Sequence, residues 1–180
     1  SKKVNRDKLK KIKKNISNKK VILIASSHHK EEHLILRAIN DIINKNKNIL
    51  LIIVPRHPNR SSEVLNTAKK YIPECCLESN YKIKSKSNCL ISNSLGEMSA
   101  YYSVSEIVIL GGSFVNMGGH NPIEPARYNC SILTGPSIYN WKNIFDEMIN
   151  KKACLLCNSD YQLGKNLNKL LNNNNFKKNV

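Results

Sequence analysis

Three stretches of this chain are apolar without interruption: Val21-Ile-Leu-Ile-Ala25, Ile49-Leu-Leu-Ile-Ile-Val54 and Ile107-Val-Ile-Leu110. A strand with one wet face alternates apolar and polar residues. Runs that do not alternate need both faces covered, as in a parallel sheet flanked by helices. Ser131-Ile-Leu-Thr134, Cys89-Leu-Ile91 and Ala153-Cys-Leu-Leu156 read as shorter strands, and Tyr81 to Lys84 alternates. Between the runs, Leu34, Leu36, Ala38, Ile39, Ile42 and Ile43 suit a helix to about residue 46, and residues 140–149 and 160–171 suit two more. Strands alternating with helices over short connections predict one α/β domain, doubly wound around about six mostly parallel strands.

That domain is expected over residues 19–171. Residues 1–18 form a basic linker or helix, with Val4, Leu9, Ile12 and Ile16 at helical spacing among lysines. Residues 172–180 are a low-complexity, frayed tail. The opening Ser1-Lys-Lys-Val reads as the continuation of something, as in a fragment cut at a linker.

The 29 lysines and arginines against 13 acidic residues give a formal charge of +16. Nucleic acid, an anionic membrane surface or a phosphate-bearing substrate could each answer such an excess. So could a compositional bias toward Lys, Asn and Ile, visible in Asn44-Lys-Asn-Lys-Asn48. The lysines are scattered and not interleaved with stacking aromatics, so nucleic acid is not the expected partner, though a basic nucleic-acid-binding module is the alternative that charge alone suggests.

Six cysteines do not make a disulfide framework: Cys75 and Cys76 are adjacent, and Cys154-Leu-Leu-Cys157 is a lone CxxC without a second pair. They read as residues in or beside buried strands, in a reducing, cytoplasmic setting. No segment reaches the roughly 18 apolar residues a membrane span requires, and no signal peptide is read.

Parallel sheets bind ligands at the carboxyl ends of their strands, which singles out three loops. The first is Ser26-Ser27-His28-His29-Lys30-Glu31-Glu32. The second is Pro55-Arg56-His57-Pro58, whose prolines aim Arg56 by restricting the backbone around it. The third, Gly111-Gly-Ser113-Phe-Val-Asn-Met-Gly118-Gly119-His120-Asn121-Pro-Ile-Glu124-Pro125, runs from a strand into a segment that can be helical from Pro122. Asn121 as N-cap with Pro122 and Glu124 behind it is close to a capping box, in which Glu124 reaches back to the Asn121 backbone. The alternative is a ligand site, with Gly118 and Gly119 permitting close approach, the helix end taking phosphate and Glu124 accepting from sugar hydroxyls. GxxxxGK[ST], GxGxxG and HExxH are absent from the sequence, and no metal site is expected.

The run Gly111 to Ala126 closely resembles the signature of 3-deoxy-D-manno-octulosonic acid (Kdo) transferases of lipid A assembly. Ser26-Ser27-His28 with Glu31-Glu32, Pro55-Arg56-His57-Pro58 with Arg60, Leu95-Gly96-Glu97, and Gly135-Pro136 with Asn140-Trp141 support it in order. The chain resembles the C-terminal half of such an enzyme, a Rossmann-like half of a two-domain GT-B glycosyltransferase. The resemblance implies that this half binds the donor, CMP-Kdo. The N-terminal half would carry the membrane anchor, the lipid A precursor site and the catalytic carboxylate, at the cytoplasmic face of the bacterial inner membrane. Transfer would invert the anomeric centre without a metal or other cofactor, and these 180 residues would hold no catalytic residue and be inactive alone. Donor contacts would come from Pro55, Arg56, Leu95, Gly96, Glu97, Gly118, Gly119, Asn121 and Glu124, with Ser27, His28, Ser113 and His120 near the cleft. A different GT-B half using a UDP-sugar is the other alternative. The sequence departs from the family where Asn93-Ser94 replace Asp-Thr, where Lys30 replaces Gly, and where only Lys84-Ser85 or Lys86-Ser87 can stand for an Arg-Arg-Ser step.

Overall fold

The computed structural model describes residues 6–16, 18–81, 87–94 and 98–178. The apolar runs form strands β1 (Lys20–Ser27), β2 (Ile49–Pro55), β5 (Ile107–Leu110) and β6 (Ser131–Thr134), joined by short strands β3 (Cys75–Leu77), β4 (Cys89–Ile91) and β7 (Leu155–Leu156). All pairings are parallel, and the order across the seven-stranded sheet is β3-β4-β2-β1-β5-β6-β7.

Helices cover both faces, which is why the central runs do not alternate. Ile22, Ile24, Leu51, Ile53 and Ile109 point to one side, against α2 (Glu31–Lys45), α3 (Ser61–Lys69) and α7 (Asp160–Asn172). Leu23, Ala25, Leu50, Ile52, Val108 and Leu110 point to the other, against α1 (Arg6–Ile16), α4 (Met98–Tyr102) and α6 (Lys142–Asn150). Helices on each face make the doubly wound arrangement that the sequence predicts.

Two details differ from the sequence reading, and a third lies beyond what the structure describes. The sheet has seven strands among the described residues where about six are expected, and β3 is one that the residue pattern does not announce. The alternating Tyr81–Lys84 segment lies, beyond Tyr81, outside the described residues. The expected frayed tail contains a helical turn, α8 (Asn174–Lys178), held by Phe176 packing on the α7-side core and by a Lys177–Glu106 ion pair. The basic N-terminal helix is fastened to the domain, because Ile12 and Ile16 are buried in the core beside α4. Cys154 and Cys157 flank β7 and are buried, and burial pushes both thiols up, that of Cys154 to about 12. Among the described residues, no helix is long and apolar enough to cross a membrane.

Candidate functional site

From β1 the chain steps to β2 on one side, and it later returns to place β5 on the other. The strand order therefore reverses between β1 and β5, and the crevice outside their carboxyl ends is where an open α/β sheet takes a ligand. His28 follows β1, Arg56 and His57 follow β2, the glycine-rich loop follows β5, and Gly135 to Trp141 follows β6.

The start of the glycine-rich loop is closed by the protein itself. Glu31, fully buried in the first turn of α2, accepts from the backbone N–H of Gly112 (2.8 Å), Ser113 (3.0 Å) and Phe114 (2.9 Å), and from that of His28 (3.0 Å). One internal carboxylate thus occupies the backbone donors that the sequence offers to an external anion. Burial pushes the Glu31 carboxyl up, against the downward pull of these four donors.

Its neighbour Glu32 is also buried and takes both arms of Arg60, at 3.0 and 3.2 Å, together with the Ser27 hydroxyl at 2.8 Å. Ser27 is therefore a structural residue with no exposed surface, not a cleft residue. Ser113 is corrected in the same way: its hydroxyl donates to Leu110 O (2.6 Å) and accepts from Gly135 N (2.8 Å) in the interior. Pro55 is buried within β2, opposite Ser27.

Gly118 and Gly119 are expected to admit a ligand, but a protein segment approaches them instead. Gly118, at φ 80°, donates to Ser137 Oγ (2.9 Å) and accepts from Asn140 N (3.0 Å), and a Cβ there would lie 2.5 Å from Asn140 Cγ. Gly119 donates to Gly112 O (2.9 Å). Their N–H groups are satisfied internally, so the pair shapes the loop and its donors do not face a phosphate. The helix that follows, α5 (Ile123–Ala126), is a single turn, too short to carry much of a macrodipole. Asn121 does not cap with Glu124: its Oδ1 accepts from Ile123 N (3.0 Å), an Asx turn. Glu124 has no hydrogen-bond partner among the described residues and is half-buried. Burial and the Glu124 charge push the Tyr102 hydroxyl up, which puts that carboxylate near α4.

The structure does bring Arg56, His28 and His120 together. Arg56 is exposed and has no carboxylate partner among the described residues. His28 Nε2 and His120 Nε2 are 2.8 Å apart, with ring planes 13° from parallel and centroids 5.0 Å apart. Stacked ring faces cannot bring two nitrogens so close. The rings meet end to end, joining the β1 and β5 loops by one N–H···N bond across the crevice. Burial, the neighbouring His28 and Arg56 hold His120 down at about 4, and burial, His57 and Arg60 lower His28. Leu95, Gly96 and Glu97 lie outside the described residues. Sequence reasoning does not assign the closing role of Glu31 or the Glu32–Arg60 pair; the available signal is two acidic residues opening a helix directly after a ligand-side loop.

No family model matches the chain. The chain is 33% identical over 138 residues to a 3-deoxy-D-manno-octulosonic acid transferase of Haemophilus influenzae, covering 76% of this chain and 32% of that relative. It is 32% identical over 173 residues to the enzyme of the same name from Rickettsia prowazekii, covering 96% of this chain and 37% of that one. The chain thus spans about a third of the length of the curated relatives it matches. Among solved structures, the C-terminal CMP-Kdo binding domain of WaaA from Acinetobacter baumannii superposes with a TM-score of 0.84 at 28% identity, covering 96% of this chain and 92% of that one. The fold alone is shared with S. aureus MnaA in a co-structure with UDP, at a TM-score of 0.67 and 13% identity, covering 99% of this chain and 42% of that one. The chain belongs to the 3-deoxy-D-manno-octulosonic acid transferase family, as a counterpart of its C-terminal domain.

Proposed function

We propose that this chain binds CMP-Kdo as the donor half of an inverting Kdo transferase. The observation that carries the reading is the likeness, over nearly the whole chain, to a domain described as binding CMP-Kdo. Arg56, exposed beside the β1–β5 crevice, supports it as the cation for the donor phosphate. Glu124, without a partner among the described residues, would accept from the ribose, and Asn121 would lie near the phosphate. Pro55 fixes the backbone before Arg56, Gly118 and Gly119 hold the loop's shape, and Leu95-Gly96-Glu97 would flank the nucleotide.

On this reading the donor phosphate is met by side-chain cations rather than by a metal. The general base and the lipid A precursor site would belong to the part of the relatives' length that this chain does not span, at the cytoplasmic face of the inner membrane. Calorimetric titration with CMP tests the donor site. Binding is expected, and Arg56→Ala and Glu124→Ala should each weaken it about tenfold or more, the scale of a lost hydrogen bond to a charged group. Affinity unchanged by both substitutions would overturn the site, and no heat at millimolar CMP would overturn the donor reading.

A further inference from the structure

The end-to-end histidines are more than a strut between two loops. Two imidazole nitrogens 2.8 Å apart have room for one proton between them. In the neutral pair, one ring donates and the other accepts. A proton added to the free nitrogen of the donating ring makes the central bond charge-assisted and stronger. A second added proton would set two N–H groups head to head. The pair therefore titrates as a unit with capacity for one extra proton.

The groups facing the pair decide when that proton is held. His57, Arg56 and Arg60 oppose a positive charge on His28, and Glu32 favours it, but Arg60 already binds the Glu32 carboxylate. At His120, Arg56 opposes the charge and the Ser26 backbone favours it. Glu31 touches the His28 backbone N–H, and its oxygens are committed to four backbone donors. The protein's own groups at the crevice thus keep the pair neutral. An anion arriving beside Arg56 would cancel that field and reverse the preference.

We propose that the His28–His120 pair is a one-proton receptor on the wall of the donor site, taking up a proton as the nucleotide phosphate binds and presenting the resulting positive charge to it. This rests on the donor reading above.

Calorimetry of CMP binding in buffers of different ionisation enthalpy measures the proton directly. At pH values of about 7.5 and 7.0 the CMP phosphate, with a second pKa of about 6, is mostly dianionic. The wild-type chain should take up a fraction of one proton that grows as pH falls. His120→Gln should bind CMP several-fold more weakly and without uptake. Binding with no uptake, or uptake equal in His120→Gln, overturns the proposal and leaves the donor reading standing. No CMP binding at all overturns both. A ligand-free ¹⁵N NMR titration of the wild-type histidines keeps the idea testable if the variant does not fold. The two rings should share one titration step below the ordinary histidine value, and two independent steps near that value would overturn it.

Discussion

Glu31 shows how a single side chain sets up this site. Four backbone N–H groups from two loops converge on one buried carboxylate, and the amide of a glutamine would turn a donor toward some of them. Glu31→Gln, nearly isosteric, is therefore expected to cost about 2–3 kcal/mol of stability through unsatisfied buried groups, read as a lower urea midpoint. A midpoint like that of the wild type would mean the carboxylate does not organise the loops. Lys30 sits at φ 69°, in the left-handed region where glycine is at ease, so it carries a backbone strain that a glycine would not. His120 makes a prediction about pH. Its folded-state value of about 4 lies below the usual 6.5, so between those values the unfolded chain binds a proton that the folded chain refuses. Stability from this group is complete above the unfolded value and is lost as pH falls toward the folded one. Urea midpoints measured across that range should decline, and His120→Gln should flatten the decline. An equally steep decline in the variant would assign it to other groups.

At the scale of elements, the central strands are legible in the sequence because an uninterrupted apolar run has few other solutions in a chain of this size. The edges are less so: β3 is three residues with only one buried, Cys75, and nothing in Cys75-Cys76-Leu77 separates it from a loop. The glycine-rich loop is legible as a turn at a strand end, but its partners are not. Glu31 is 81 residues from Gly112 and Ser137 is 19 from Gly118, contacts that only the assembled sheet creates. Gly118 is the sharpest case. Gly118→Ala combines a left-handed φ with a clash against Tyr139 and Asn140, and strain of about 1–3 kcal/mol is expected. The single tryptophan, Trp141, lies in the displaced segment, so its emission should shift along with the stability. Unchanged emission and stability would mean that the segment does not rest on Gly118.

Across the whole molecule, three features coincide: a sheet whose order reverses between β1 and β5, cations gathered at that reversal, and a likeness to a CMP-Kdo-binding domain over nearly all of the chain. The charge of +16 by itself distinguishes little. Lys13 and Lys14 in the last turn of α1, and Lys45 in the last turn of α2, are exposed at the amino ends of the strands, away from the crevice. What separates a CMP-Kdo donor site from a basic surface, or from a half that takes a UDP-sugar, is the base. CMP and UMP titrated calorimetrically into the same protein at the same ionic strength isolate that difference. CMP should bind measurably more tightly, and Arg56→Ala should weaken it; equal affinity for the two nucleotides, or preference for UMP, would contradict a CMP-Kdo site.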